Sequence, residues 1–185
     1  MVAMHPAIFL DRDGVIVENR PSYIRSWSDV SIFSQALDAL ARIHASLYKI
    51  VIVTNQSAVG RGIIPFEAAQ DINRRLVEAV EQAGGRIDGV FMCPHAPGDQ
   101  CGCRKPKPGL LFMAAQTLAL DLSQSMMIGD ALSDLLAGQA AGIPYSILVR
   151  TGRGASQALL PLPADLKPFQ TFDTLACAIA ELVKT

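Results

Sequence analysis

Five short apolar runs recur along the chain, and in the longer segments between them apolar residues return at every third or fourth position. The runs are rich in valine and isoleucine, which is typical of strands buried on both faces of a parallel sheet. We therefore predict strands over 7–11, 49–54, 88–93, 125–130 and 145–149. The intervening spacing predicts helices over 35–47, 66–84, 109–120, 131–142 and, near the end of the chain, 172–184.

Residues that favour helix ends lie near the ends of these segments. Gly84 and Gly142 stand where two of the helices should stop, since glycine readily adopts the left-handed conformation that closes a helix. Asp173 is a candidate N-cap for the last helix.

The alternation of strands and helices predicts an α/β fold with a parallel sheet, right-handed crossovers and helices on both faces. The chain has no internal repeat, low-complexity tract or linker. The stretch 152–170 contains three prolines and should form a loop, but it lies too near the end to separate two domains. We expect residues 1–185 to form one domain, because a chain of this length can bury a proper core.

Composition disfavours several classes of protein. Half of the residues are hydrophobic, the mean hydropathy is +0.29 and the net charge is −1, which speaks against disorder and against the basic surface of a nucleic-acid-binding protein. The first residues lack the basic segment of a signal peptide, and no apolar run approaches the roughly 18 residues that span a bilayer. We expect a cytoplasmic protein with no nucleic-acid or membrane partner.

The first strand ends in an acidic pair within the sequence DRDG. Because side chains alternate along a strand, Asp11 and Asp13 should share a face, while Arg12 points away. Two close carboxylates repel each other unless a cation lies between them or one is protonated. Taken alone, the segment fits a polar turn equally well.

Polar groups also follow the other strands. Thr54 ends the second strand, and its hydroxyl and the next backbone N–H groups suit a phosphoryl group or simply cap the strand. Asp130 and Asp134 lie one helical turn apart, which suits Mg²⁺, although Asp130 is also a candidate N-cap. Lys105 follows the third strand. Ligands bind beyond the carboxyl ends of parallel strands, so these groups should converge at one edge of the sheet.

Three of the four cysteines and one histidine lie in the loop that leads to Lys105. Cys93, His95, Cys101 and Cys103 form the pattern C-x-H-x5-C-x-C, a donor set that zinc prefers in closed tetrahedral sites. Four protein ligands leave no open position, so we expect structural zinc that stiffens the loop carrying Arg104 and Lys105. A free-thiol loop and an adventitious metal are the alternatives. Cys177 is expected in the core, and His5 and His44 at the surface or its boundary.

In order along the chain, the segments DRDGV, VTNQS, CRKP and GDALSD resemble the four motifs of the haloacid dehalogenase-like (HAD-like) phosphatases. The resemblance covers nearly the whole chain and implies a Rossmann-like three-layer α/β/α sandwich that is capless and carries a zinc-binding loop. Each motif alone would be a weak signal, whereas the ordered set is specific.

The resemblance also implies roles for single residues. Asp11 would attack phosphorus and form an aspartyl-phosphate, and Asp13 would protonate the leaving oxygen and then activate water. Thr54 and Lys105 would bind the phosphoryl oxygens. Mg²⁺ would be held by Asp11, the backbone carbonyl of Asp13 and Asp130, with Asp134 supporting. The implied substrate-binding residues are Asn55, Gln56, Ser57, Arg61 and Arg104.

The cysteine-rich loop is similar to that of a small branch which includes heptose bisphosphate phosphatases and histidinol-phosphate phosphatases. Arg61 and the segment 147–154 favour the heptose enzymes, and histidinol phosphatases more usually have aspartate where Ser57 stands. We expect a small phosphorylated sugar as substrate and a monomer. Histidinol phosphate remains open as a substrate. A phospho-acceptor signalling domain, the alternative from another class, has no need of Asp13 or of a zinc loop.

Overall fold

The computed structural model of the protein describes residues 4–183. Its six strands are β1 (Ala7–Leu10), β2 (Lys49–Asn55), β3 (Gly89–Cys93), β4 (Met126–Gly129), β5 (Tyr145–Val149) and β6 (Gln170–Phe172). Its helices are α1 (Ser34–Arg42), α2 (Ser57–Gly60), α3 (Phe66–Gln82), α4 (Gly109–Leu118), α5 (Leu132–Ala140), α6 (Gly154–Gln157) and α7 (Leu175–Leu182). Two 3₁₀ turns cover Trp27–Asp29 and Leu122–Gln124.

All six strands are parallel and lie in the order β3-β2-β1-β4-β5-β6. β1 is central, and its last residue, Leu10, pairs with Ile52 on one side and Ile128 on the other. The chain therefore leaves β1, β2 and β4 at the same edge of the sheet. This register brings together the polar residues that follow those strands.

The hydrophobic core has two layers, one on each face of the sheet. Ile8 and Leu10 face α1, α3 and α7, whereas Ala7 and Phe9 face α4 and α5. The strict alternation of buried side chains along β1 fills both layers. The three-layer α/β/α arrangement predicted from the sequence is confirmed. The described segment 11–33 between β1 and α1 contains one 3₁₀ turn and no inserted domain, in line with a capless fold.

The end of the chain differs from the prediction. β6 was not predicted, because it is an edge strand with exposed side chains and so has no apolar run; its backbone pairs with β5 at Ile147 and Gln170. The last helix begins later than predicted, at Leu175, and Asp173 is not its N-cap. Thr174 is the N-cap, and its hydroxyl accepts a hydrogen bond from the backbone N–H of Cys177. The predicted end of this helix at residue 184 lies outside the described residues.

Two glycines end helices as predicted, whereas Cys177 does not lie in the core. Gly84 and Gly142 follow the ends of α3 and α5 with φ angles of +85° and +82°, as expected. Cys177 is exposed rather than in the core, because Leu175, Ala178 and Ile179 form the buried face of α7. Within residues 4–183, no helix is both long enough and apolar enough to cross a membrane.

Candidate active site

Three buried aspartates converge at the carboxyl edge of the sheet. Asp11 follows β1, Asp130 follows β4 and Asp134 lies in the first turn of α5; each is at most 5% exposed. One carboxylate oxygen from each lies within 4.8 Å of the others. Such a cluster needs positive charge, and carboxylate oxygens are the ligands that Mg²⁺ prefers. The donor set therefore fits a magnesium ion.

Lys105 supplies one positive charge from the protein itself. Its Nζ lies 2.9 Å from Asp11 Oδ1 and 2.7 Å from Asp134 Oδ1, and it donates to the Val53 carbonyl at 2.8 Å. Burial by itself would lower the pKa of Lys105, but the two carboxylates raise it, so the ammonium stays charged. Burial raises the pKa of Asp11 to about 7; Lys105 opposes this increase, and the other aspartates add to it.

Asp130 is held by Asn19, which the sequence did not single out, and by Arg153, which it indicated only as part of the segment 147–154. Asn19 Nδ2 donates to Asp130 Oδ2 at 2.8 Å. The backbone N–H of Arg153 donates to the same oxygen at 2.9 Å, and its Nη2 lies 3.1 Å from Oδ1. Arg153 belongs to the segment that follows β5, so its position after a strand end was the available signal. Asp130 itself is not the N-cap of α5; that position is Ala131, whose N–H donates to Asp134 Oδ2.

Asp13 is fixed by Arg12 and Gln56. Arg12 Nη2 lies 3.1 Å from both carboxylate oxygens, and Gln56 Nε2 donates to Oδ2 at 2.8 Å. The expectation that Arg12 points away from the acidic pair is wrong for Asp13. β1 ends at Leu10, so the alternation of a strand no longer governs residues 11–13. Gly14 turns the chain here with a φ of +87°, which favours glycine.

The end of β2 and the helix α2 lie beside these groups, and their polar residues differ in what they contact. Thr54 is fully buried, and its hydroxyl accepts from Gln56 Nε2 at 2.9 Å. The Asn55 side chain binds the backbone of Lys105. Ser57 begins α2 and lines the cavity. Arg61 is exposed at the end of α2 and does not line the cavity, in contrast to the other predicted substrate-binding residues.

Most of these groups line a cavity of about 660 Å³, whereas Thr54 and Asp130 are buried behind its wall. Part of its wall comes from the segment between β1 and α1, through Arg20, Tyr23 and Ile24. Trp27, in the same segment, does not line it but packs against the core. The residues described above that line this cavity are Asp11, Arg12, Asp13, Asn19, Asn55, Gln56, Ser57, Arg104, Lys105, Asp134 and Arg153.

The cysteine cluster forms beside this cavity. Cys93 Sγ lies 3.1 Å from Cys103 Sγ and 3.6 Å from Cys101 Sγ, and His95 Nδ1 lies 3.3 Å from Cys103 Sγ. One ligand atom from each of the four residues lies within 4.8 Å of the others. Three sulfurs and one imidazole nitrogen at this spacing fit a closed zinc site.

The zinc-type loop is joined to both neighbouring segments. Gln56 N–H donates to the Cys93 carbonyl and Gly60 N–H to the Pro94 carbonyl. Arg104 Nη1 donates to the His95 carbonyl at 3.2 Å. Movement of the loop that carries the cysteine cluster would therefore disturb α2 through Gln56 and Gly60, and would also disturb Arg104.

The fold and the acidic site define a HAD-like hydrolase. The HAD-hydrolase-like family model matches residues 102–178. A D-glycero-beta-D-manno-heptose-1,7-bisphosphate 7-phosphatase from Pseudomonas aeruginosa is 33% identical over 94% of this chain and 97% of its own length. The Bordetella bronchiseptica enzyme of the same name is 38% identical over 80% and 82%.

The structure is similar to a solved one at the level of the whole fold. The crystal structure of D,D-heptose 1,7-bisphosphate phosphatase from B. bronchiseptica, complexed with magnesium and phosphate, has a TM-score of 0.86 at 33% identity, over 96% of this chain and 97% of that one. This chain belongs to the family of these phosphatases within the HAD-like hydrolases. It is a phosphatase, as the four motifs indicated.

Proposed function

We propose that the protein removes the 7-phosphate from D-glycero-beta-D-manno-heptose 1,7-bisphosphate through an aspartyl-phosphate intermediate. The observation that carries the chemistry is the position of Asp11, which shares its cluster with Asp130 and Asp134 and touches Lys105. The names of its relatives, at 33% and 38% identity, support the choice of substrate. The same relatives favour this substrate over histidinol phosphate.

Asp11 acts as the nucleophile. One of its oxygens, Oδ1, is held by Lys105 at 2.9 Å and also accepts the backbone N–H of Arg12 at 2.8 Å, which fixes the carboxylate. Lys105 and the Thr54 hydroxyl bind the oxygens of the phosphoryl group that Asp11 attacks. Asp13 gives its proton to the leaving oxygen and then takes one from the water that cleaves the aspartyl-phosphate.

Asp11, Asp130 and the backbone carbonyl of Asp13 would hold Mg²⁺, which when bound offsets the charge of nucleophile and phosphate. Asp134 has a different role. Its Oδ1 forms a salt bridge with Lys105, and its Oδ2 accepts a hydrogen bond from the Ala131 N–H, so both oxygens are already bonded within the protein. These bonds support a role in holding Lys105 and the start of α5.

The zinc loop acts through Arg104. Its guanidinium lines the cavity and is anchored to the carbonyl of His95, one of the four zinc-type ligands. A planar fork of this kind suits phosphate or sugar oxygens. Arg20 and Arg153 line the same cavity, so positive charge is available for a substrate with two phosphates.

We also propose that the enzyme acts as one domain, as a monomer in the cytoplasm, on a small substrate rather than on nucleic acid or a membrane. Both core layers pack on one sheet, which supports a single folding unit. Four free cysteines, three of them clustered, suit a reducing compartment.

The test is phosphate release from a substrate panel. It contains both anomers of the heptose bisphosphate, histidinol phosphate and common hexose bisphosphates, with Asp11→Asn as the inactive control. We expect the highest kcat/KM for the beta heptose bisphosphate. Preference for histidinol phosphate would overturn the substrate, and a single equivalent of phosphate without turnover would support the signalling domain instead. An active, folded Asp11→Asn variant would remove the proposed nucleophile.

A further inference from the structure

We propose that Arg12 is a positioning residue for catalysis: it fixes the Asp13 carboxylate in the orientation that transfers the proton to the leaving oxygen, and Asn73 on α3 fixes Arg12. This inference rests on the proposed function, because it assumes that Asp13 is the acid and base of a phosphatase. It adds Arg12 and Asn73 to the residues that serve catalysis. Asn73 lies on α3, which supplies no other polar group to the site described above.

The contacts form a short chain from α3 to the cavity. Asn73 Oδ1 accepts from Arg12 Nη1 at 2.8 Å, and Arg12 Nη2 lies 3.1 Å from each oxygen of Asp13. Arg12 is only 1% exposed and heads the largest fully buried side chains, and Asn73 is 7% exposed. The Asp13 side chain is 27% exposed and faces the cavity. A rigid buried support thus ends in a carboxylate that a substrate can reach.

The two oxygens of Asp13 are not equivalent. Oδ2 accepts from both Arg12 and Gln56, whereas Oδ1 accepts from Arg12 alone. Oδ1 therefore keeps more of its hydrogen-bonding capacity for the leaving oxygen. Because Arg12 bonds both oxygens and Gln56 bonds Oδ2, the carboxylate cannot rotate without losing these three hydrogen bonds.

Stability does not explain a buried arginine at this place. Burying a charged guanidinium carries a large desolvation cost, and hydrophobic replacements of buried ion pairs are often neutral or stabilising. Within the part of the chain that the structure describes, Arg12 Nε has no hydrogen-bond partner at all. A group that is costly to bury and only partly bonded fits a role in the reaction, which here is the orientation of Asp13.

Leaving-group dependence distinguishes this role from a general structural one. kcat/KM reports the steps up to release of the leaving group, in which Asp13 donates its proton. An alkyl alkoxide from a sugar phosphate needs that proton, but p-nitrophenolate departs without it. Loss of positioning should therefore lower kcat/KM for the sugar phosphate and leave that for p-nitrophenyl phosphate nearly unchanged.

The experiment compares Arg12→Gln, Arg12→Lys and Asn73→Leu with the wild-type enzyme on both substrates, with magnesium present. For Arg12→Gln we expect a loss of about 10- to 100-fold on the sugar phosphate and less than about threefold on p-nitrophenyl phosphate. The loss stays below the roughly 100- to 10,000-fold that general acid catalysis contributes, because Gln56 still holds Asp13 Oδ2. Asn73→Leu should show the same selective loss on the sugar phosphate, but a smaller one. Asn73→Asp keeps an acceptor for Arg12, so its kcat/KM on the sugar phosphate should be close to that of the wild-type enzyme. Gln70→Leu, an exposed change one turn earlier on α3, is the control and should have no effect.

Equal losses on the two substrates in folded variants would overturn the inference while the proposed function stands. If the Arg12 variants do not fold, the two Asn73 variants test the inference through the same quantity, the ratio of kcat/KM for the sugar phosphate to kcat/KM for p-nitrophenyl phosphate. Absence of turnover by the wild-type enzyme on every phosphate ester would instead refute the proposed function itself.

Discussion

The side-chain amide of Asn55 binds both backbone groups of Lys105: Nδ2 donates to the carbonyl and Oδ1 accepts from the N–H, each at 3.1 Å. By the resemblance of VTNQS to a phosphatase motif, Asn55 is predicted to contact the substrate. The structure uses its amide to join the end of β2 to the loop that carries the buried lysine. The position of the Lys105 ammonium between Asp11 and Asp134 therefore depends on Asn55.

Asn55→Ala should lower kcat/KM by about tenfold, because the Lys105 backbone loses two bonds and its ammonium is no longer held in place. The free energy of unfolding should fall by about 1–3 kcal/mol, the cost of leaving partly buried backbone groups without partners. Steady-state kinetics and urea unfolding measure the two effects. Ser57→Ala, two residues further along the chain, is the control, since it leaves this pair of hydrogen bonds intact. Equal loss of stability in both variants would contradict the explanation.

Zinc content and activity should fall together when the cysteine cluster is broken. Cys101→Ser removes one of four ligands, so we expect its zinc content to lie well below the one equivalent per chain that we expect for the wild-type protein. Arg104, anchored on the His95 carbonyl, should then move freely, and kcat/KM should fall by at least about tenfold. Metal analysis and kinetics on the same samples check this.

Cys177→Ser is the matched control for the zinc prediction. Cys177 is exposed on α7 and is not one of the four clustered ligands, so this variant should keep its zinc and its activity. A zinc-free Cys101→Ser protein that folds and keeps full turnover would show that the loop needs no metal to place Arg104.

The residues that sequence reasoning found and those it missed differ in their physical signal. Asp11 and Asp130 each close an apolar run, and a parallel sheet brings such positions to one edge. Arg153 and Asn19 reach Asp130 from loops, where no periodicity indicates where a side chain will point. β6 was missed for a related reason. An edge strand is held by backbone hydrogen bonds and need not carry the apolar side chains by which a buried strand is recognised in a sequence.

The buried side chain of Arg12 shows a second limit. Strand alternation does not hold for residues 11–13, which lie beyond the end of β1 at Leu10, where Gly14 and the turn already control the backbone. Cys177 was placed in the core by its apolar neighbours, but the exact rotation of a short helix depends on where it starts. That start is set by the hydroxyl of Thr174, the N-cap of α7, whereas the sequence indicated Asp173 for this position.

Asp88 should make stability depend on pH. Its carboxylate accepts from the Ile50 N–H at 2.9 Å, Lys49 Nζ at 3.1 Å and Arg86 Nε at 3.0 Å. Burial opposes ionisation, but these donors prevail and lower its pKa. The contribution of Asp88 is therefore fully present above its unfolded pKa of about 3.9, and it is lost as the pH falls through the lower folded value.

Asp88→Asn should cost about 1–3 kcal/mol of unfolding free energy at pH 7, and the gap to the wild-type protein should narrow only below about pH 4. Urea unfolding between pH 3 and 8 measures it. Asp173→Asn is the control, because Asp173 is 73% exposed and its pair with Arg150 should be worth less than about 1 kcal/mol. A gap that instead grew as the pH fell would mean that Asp88 is not stabilised in its charged form.

Arg153 should compete with magnesium for Asp130. Its guanidinium binds Asp130 Oδ1 at 3.1 Å, and its side chain is 58% exposed, so it can leave the carboxylate for the cavity at little cost. Arg153→Gln removes this competing charge, although the backbone N–H at the same position still holds Oδ2. Because a partly exposed ion pair is worth up to about 1 kcal/mol, we expect Mg²⁺ to bind about fivefold more tightly.

Isothermal titration of Mg²⁺ into the substrate-free protein measures this affinity directly, independent of turnover. Arg150→Gln is the matched control: it removes an arginine three residues away whose partner, Asp173, lies at the surface, so the affinity should not change. Weaker binding by Arg153→Gln would contradict competition. It would mean that the guanidinium holds the Asp130 carboxylate in the orientation the ion requires, and that Asn19 and the backbone N–H do not suffice for this.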